Sequence, residues 1–234
     1  MVDTIRESED IKDKWHLERW AKFTASENHK LLALTGQTAL FSPGAWTYIR
    51  TKAMQSCTRM WERPELEEVK SLLHGKMYEY PAYDAYTRAT NNSSMIYLGS
   101  ENPLFLEYEE LKGESGGSPD AININPASGI DILAEIKCPK NPMYHWERLK
   151  WTNQWDVKEG YVQCYCQIQN LLMITGAPMA HFVSYDERMV KENAKIKIIE
   201  IKPDRKFQDN LHFRLVRAIQ EKHRDIEEHM SCYE

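Results

Sequence analysis

The sequence predicts an α+β fold in which a central mixed β-sheet is flanked by helices. Three observations carry it: helical spacing prevails from Trp15 to about Tyr80, strand-like stretches take over between Ser94 and Lys137, and helix, strands and helix follow to Met230. No internal repeat or low-complexity tract interrupts that order.

At 234 residues the chain suits one large domain with a substantial core, and 42% hydrophobic with 28% charged residues is the balance of a globular protein. Residues 1–14 read as a flexible polar arm and 15–234 as the domain. No apolar run reaches membrane-spanning length, and Met1 to Lys14 is charged where a signal peptide would be apolar, so a cytoplasmic location is expected. Five cysteines at irregular spacings give neither a disulfide framework nor a zinc finger, and reduced thiols are expected. The net charge of −5 argues against indiscriminate nucleic-acid binding, but it admits a DNA enzyme whose basic groups line one channel.

Thr24-Ala25-Ser26-Glu27 has the form of a capping box and predicts a helix to about Leu34, with Arg19 and Ser26 placed to hold an anion at its N-terminus. Ser42-Pro43 predicts a second start, with Trp46, Ile49, Ala53 and Met60 on one face and Arg50, Lys52, Arg59 and Arg63 on a solvated one. Pro64 opens a third helix through Leu66, Val69, Leu72 and Leu73, which Pro81 kinks or restarts. Strands are expected at Ser94–Leu98 and Leu104–Tyr108, and a flexible loop at Gly113–Gly117. Glu107, Glu109 and Glu110 stand near enough in sequence to lend the site a carboxylate. Asn141 to Gly160 interleaves Trp146, Trp151 and Trp155 with basic residues, a pattern that suits either base stacking or helix packing. Tyr161–Thr175 predicts a helix stopped by Gly176, with Cys164 and Cys166 packing in the core. Met179–Tyr185 and Ile196–Ile201 alternate as strands, and Phe207–Met230 forms a closing helix.

The chemistry centres on Ser118-Pro119-Asp120 and Glu135-Ile136-Lys137. Strand alternation puts Leu133, Glu135 and Lys137 on one face of 131–137. A carboxylate and an ammonium at the end of an apolar strand are costly to bury unless paired or bound to something. Asn123, Asn125-Pro126 and Ser128-Gly129 form a turn that folds Asp120 back beside Glu135. Two hard carboxylates together suit Mg²⁺ or Mn²⁺, which activates water for attack on phosphate, and Lys137 would hold that water or offset charge.

This layout resembles the PD-(D/E)-x-K nuclease superfamily. The chain is similar to the phage lambda exonuclease family, viral alkaline exonucleases of its RecB-like branch, in five ordered blocks. These are Trp15-His16-x-x-Arg19 with Thr24-Ala25-Ser26-Glu27; Gly75-Lys76-x-Tyr78-Glu79; Ser118-Pro119-Asp120; Glu135-x-Lys137-Cys138-Pro139; and Gln167-x-Gln169 with Tyr185-Asp186-x-Arg188-Met189.

The resemblance implies a restriction-endonuclease-like core and a single exonuclease domain over 15–234. It implies that Asp120, Glu135 and the Ile136 carbonyl are metal ligands, that Glu79 holds a water on the metal, and that Lys137 positions the nucleophile. Arg19, Ser26, Ser118 and Gln167 would form the phosphate pocket. It further implies a 5′ to 3′ exonuclease using two Mg²⁺ ions (or Mn²⁺). Such an enzyme acts on 5′-phosphorylated ends of double-stranded DNA, releases mononucleotides and leaves 3′ single strands for a single-strand annealing protein in recombination. A homotrimer ring in the cytoplasm of a bacterial host, encoded by a phage or prophage, completes the expectation. Ala121 stands where the family has glycine, and the insert between Asp120 and Glu135 is longer than in lambda exonuclease. Another nuclease of the superfamily, an endonuclease or an iron-sulfur nuclease, and a catalytically silent DNA-end scaffold are the alternatives.

Overall fold

The computed structural model describes residues 13–33, 38–59, 70–99 and 102–233. The expectations for residues 1–12, Leu34, Met60, Arg63, Pro64, Leu66 and Val69 lie outside them.

Five strands form the central sheet in the order β2 (Met95–Tyr97), β5 (Ala121–Asn125), β6 (Gly129–Lys137), β7 (Met179–Tyr185) and β8 (Ile196–Ile201). Only β6 and β7 run parallel, so the sheet is mixed. The predicted β5–β6 hairpin is present, with Gly129 at φ +85° where its turn re-enters the strand. A smaller sheet orders β1 (Phe23–Thr24), β4 (Ser115–Gly117) and β3 (Leu106–Glu107).

Both faces of β6 are buried, because helices cover the sheet on each side. On one face Leu133 joins Phe182, Ile199 and Ile201 beneath Tyr165, Ile168 and Leu171 of α6 (Val162–Thr175). On the other, Ala134, Ile136 and Val183 meet Ala82 and Tyr86 of α3 (Lys70–Thr90). A third cluster joins α2 (Pro43–Ser56) to α7 (Arg205–Met230) through Ala45, Tyr48, Ile49, Leu211 and Leu215. Cys164 and Cys166 are both buried, in the first and third of these clusters respectively, as expected of packing residues. Short helices α4 (Pro142–Arg148) and α5 (Gln154–Gly160) follow β6, and α1 covers residues 13–19.

Two local expectations are corrected. Thr24-Ala25-Ser26-Glu27 does not start an α-helix; Thr24 ends β1 and a 3₁₀ turn follows at Asn28–Leu31. The backbone that a helix would have used pairs instead with β4, since the Ala25 N–H donates to the Gly116 carbonyl at 2.9 Å. Gly113–Gly117 is not a loop throughout, because 115–117 are β4 and buried. A Cβ at Gly116 would stand 2.5 Å from the Leu106 carbonyl oxygen, and one at Gly117 would stand 2.7 Å from Ala25 and Leu171, so both glycines permit a close packing. At Pro81, where a kink or a restart is expected, α3 continues, so the restart does not occur.

Ser42 caps α2 as predicted, its Oγ accepting from the Ala45 N–H at 3.2 Å. Gly176 ends α6 in the left-handed region at φ +67°.

Candidate active site

The β5–β6 ladder ends at the pair Ala121–Ala134. Beyond it Ile136 has no β5 residue opposite, and the Asp120 carboxylate takes that place, with Oδ2 accepting the Ile136 N–H at 2.6 Å. Asp120 is itself pinned by its backbone, its N–H donating to the Ala134 carbonyl and its carbonyl accepting from the Leu98 N–H. The hairpin thus delivers Asp120 to the strand end that carries Glu135 and Lys137.

Glu135 projects from the same face as Leu133, towards α6, and is 1% exposed. One carboxylate oxygen, Oε1, accepts from Lys137 Nζ. The other, Oε2, is buried without a hydrogen-bond partner among the described residues. Burial, with Asp120 close by, pushes the Glu135 carboxyl up to about 8 against the pull of Lys137. Burial also raises the Asp120 carboxyl, which Lys137 and the Ile136 N–H partly offset. Burial works against the Lys137 ammonium, but Glu135, Cys164 and Asp120 outweigh it and hold the lysine well above its ordinary value. A cation would satisfy an oxygen pair in this condition. The donor set therefore fits a hard divalent ion. Among the described residues no group of three or more His, Cys, Asp or Glu side chains stands ready to hold one alone.

Glu79, on α3, is positioned from β2: the Tyr97 hydroxyl donates to its Oε1 at 2.8 Å. Gly99 leaves room for that pair, since a Cβ there would fall 1.9 Å from the Tyr97 oxygen and 2.2 Å from Glu79 Oε1.

The Arg19 guanidinium lies 4.2 Å over the Trp15 ring and reaches the Ser26 Oγ at 3.4 Å. Trp15 Nε1 donates to the Ser118 Oγ at 2.9 Å, joining α1 to the residue two before Asp120. Gln167 of α6 lines the same space. Except for Tyr97, which stands behind Glu79, these residues and Ile136 border one cleft of about 2290 Å³. The cleft gathers Arg19, Ser26, Glu79, Ser118, Asp120, Glu135, Ile136, Lys137 and Gln167, which the sequence scatters over 149 positions.

Other expected contributors stand elsewhere. Glu107 pairs with Lys22, Glu109 with Lys112 at 3.7 Å, and Glu110 accepts from the Tyr108 hydroxyl at 3.2 Å, so none of the three lends the cleft a carboxylate. Of the three tryptophans only Trp151 borders it, packed 5.7 Å from Phe182, while Trp146 and Trp155 face solvent.

Lys52 differs most from expectation. It is buried, not solvated, with Nζ 3.5 Å from Glu27 Oε2 on the cleft wall. The signal was in the spacing: Ala45, Tyr48, Ile49 and Ala53 form the buried stripe of α2, and Lys52 falls inside it. Tyr97 was missed because a three-residue strand leaves too little alternation to assign a face. The block Tyr185-Asp186-x-Arg188 acts on the backbone that leaves β6. Arg188 holds both oxygens of Asp186 at 2.7 Å and donates to the Lys140 and Pro139 carbonyls at 3.0 and 3.1 Å.

Residues 14–178 match the YqaJ-like viral recombinase domain, a span that contains every cleft residue expected from the sequence. The chain belongs to the YqaJ-like viral recombinase family. Its fold is similar to that of the alkaline exonuclease LHK-Exo from Laribacter hongkongensis, with a TM-score of 0.72 and 20% identity over 94% of this chain and 97% of that one. The same enzyme in complex with dAMP gives 0.70 and 21%, with the same coverage. A phage-related exonuclease from Haemophilus somnus 129PT gives 0.64 and 14%, over 88% of this chain and 96% of the other. At these identities the likeness is one of fold, and it agrees with the α+β class with a central mixed sheet that the sequence predicts. No curated protein sequence matches the chain. Among the described residues no helix is long and apolar enough to cross a membrane.

Proposed function

We propose that this YqaJ-family chain is a divalent-cation-dependent nuclease that degrades linear duplex DNA from 5′-phosphorylated ends. The observation that carries the reading is that Asp120, Glu135 and Lys137 line one cleft together with Arg19, Ser26 and Ser118. Membership of a viral recombinase family and a fold similar to two exonucleases support the class of reaction.

Asp120, Glu135 and the Ile136 carbonyl would hold Mg²⁺, or Mn²⁺ in its place, and the partnerless Glu135 Oε2 supports that fit. Such a cation supplies positive charge to phosphate oxygens and makes water a better nucleophile at neutral pH. Water and substrate oxygens would complete the coordination, which suits Mg²⁺ better than a closed protein cage would.

The chain's own residues do the rest. Lys137, held as an ammonium by its carboxylate neighbours, orients the attacking water and offsets the charge that develops on the phosphate. Glu79, fixed by Tyr97, accepts a hydrogen bond from that water. Arg19, on its Trp15 platform, grips the terminal phosphate together with Ser26 and Ser118, and Gln167 donates to a neighbouring phosphate oxygen. A phosphate fixed there sets the scissile bond at a constant distance from the carboxylates, which makes cutting end-dependent. The 3′ single strand left behind is the substrate of an annealing protein, and a ring of three copies would keep the enzyme on its track.

The test uses a linear duplex with one 5′-phosphoryl and one 5′-hydroxyl end, each strand labelled separately, beside a covalently closed circle, in Mg²⁺. Mononucleotides released from the phosphorylated end with the circle intact are expected. Cutting of the circle would replace this reading with an endonuclease, and tight end binding without cutting would replace it with a scaffold.

A further inference from the structure

Beside Arg19 and Ser26 lies a linked set of charged side chains that the nuclease chemistry leaves unused. Thr24 Oγ1 stands 3.4 Å from the Ser26 Oγ and donates to Glu27 Oε2 at 3.5 Å. That carboxylate is shared by Lys30, whose Nζ lies 2.5 Å from Oε1, and by buried Lys52, 3.5 Å from Oε2. The two ammonium groups flank the Tyr48 ring, at 4.9 and 5.4 Å from its centroid. All of these residues border the cleft.

We propose that Lys52 is a specificity residue for a terminal phosphate monoester, and that Glu27 is its stand-in counter-ion, displaced when the phosphate enters. The proposal rests on the end-dependent reading above and deepens it.

The argument is one of charge. A terminal phosphate carries about −1.5 to −2 at pH 7, whereas a phosphodiester within a strand carries one negative charge. Arg19 alone matches the diester. Arg19, Lys30 and Lys52 against the single carboxylate of Glu27 leave an excess of two positive charges, which matches the monoester.

The geometry accounts for the way that charge is kept. Lys52 is 6% exposed, so its ammonium cannot rely on water for its counter-charge. Burial pulls its affinity for a proton down, and Glu27 pulls it back up. Glu27, in contrast, is about a third exposed at its side chain, and can turn to solvent and to Lys30 when an anion takes its place. Lys52 is the fixed partner and Glu27 the movable one.

The experiment measures equilibrium binding of labelled duplexes, 5′-phosphoryl against 5′-hydroxyl, without divalent cation, and displacement by inorganic phosphate. The proteins are the wild type, Lys52→Met, Lys52→Arg and Glu27→Gln. Lys52→Met is expected to cut the preference for the phosphorylated end by about tenfold or more, the usual weight of a charge-assisted contact, with hydroxyl-end affinity little changed. Lys52→Arg is expected to restore most of the preference. Glu27→Gln works in the opposite direction, tightening both the phosphorylated end and inorganic phosphate, an outcome that mere structural support would not give. Wild-type discrimination retained in Lys52→Met would overturn the assignment. Should Lys52→Met not fold, unchanged or weakened phosphate binding by Glu27→Gln would overturn it. A wild type that binds both ends alike would remove the end-dependent reading itself, and this inference with it.

Discussion

The Trp15 indole donates from Nε1 to the Ser118 Oγ at 2.9 Å, across 103 positions of sequence, while its ring carries the Arg19 guanidinium. One side chain thus sets two groups of the proposed phosphate pocket relative to each other, and links them to the backbone that leads into Asp120. Trp15→Phe keeps a ring for Arg19 but removes the donor, a loss of about 1 kcal/mol or roughly fivefold. We expect that loss in affinity for 5′-phosphoryl ends, measured by titration, with affinity for hydroxyl ends changed less. Equal losses on both ends would mean that the indole acts on overall packing.

Tyr97→Phe removes the hydroxyl that orients Glu79 and leaves the ring contacts with Tyr80 and Tyr83. Turnover should fall about three- to tenfold at saturating DNA, in line with one lost hydrogen bond, while end binding stays as it was. Gly99→Ala should do more, because its methyl group would collide with both partners. Unchanged turnover in both variants would take Glu79 out of the proposed mechanism.

Arg188 ties Asp186 to the Pro139 and Lys140 carbonyls, the backbone just beyond Lys137. Lysine cannot reproduce that planar fork. For Arg188→Lys we expect a loss of about 1–2 kcal/mol in denaturant unfolding. Turnover should fall further than the remaining folded fraction explains. Turnover that tracks the folded fraction alone would make the fork a stabilising element only.

His145 supplies a pH dependence. It is buried, with Nε2 donating to the Ala194 carbonyl at 2.8 Å and Nδ1 within 2.9 Å of the Ser184 hydroxyl, so the ring is neutral when Nδ1 accepts. Burial lowers its pKa below 6.5, outweighing the Ala194 carbonyl and Asp186, which favour the proton. The unfolded ring therefore binds a proton more readily than the folded one. Stability from this group is present above about pH 6.5 and is lost as the pH falls through the interval below it. Urea midpoints between pH 8 and 5 should drop more steeply for the wild type than for His145→Gln. Parallel slopes would contradict the assignment.

What could be read from the sequence follows from how local each signal is. The strands Met179–Tyr185 and Ile196–Ile201, the Ser42 cap and the Gly176 stop depend on neighbours in sequence, and they stand where expected. The carboxylate hairpin was legible for the same reason, since turn formers and strand alternation place Asp120 beside Glu135. Thr24–Glu27 misled because its Thr-to-Glu hydrogen bond forms without a helix, once β4 supplies the backbone partner from 92 residues away. Lys52 misled because a lysine is ordinarily a solvated residue, and the counter-charge that permits its burial comes from another element.

The central claim is that Asp120 and Glu135 form the cation-holding centre of phosphodiester hydrolysis. Single-turnover cleavage of a 5′-phosphorylated linear duplex by Glu135→Gln, beside the wild type in Mg²⁺, tests it most directly. The substitution keeps the shape and removes the charge. The account predicts a rate lower by about 100-fold or more, in the range that catalytic charge groups contribute, with DNA-end binding retained. A rate within about twofold of the wild type, less than a single ordinary hydrogen bond contributes, would contradict it.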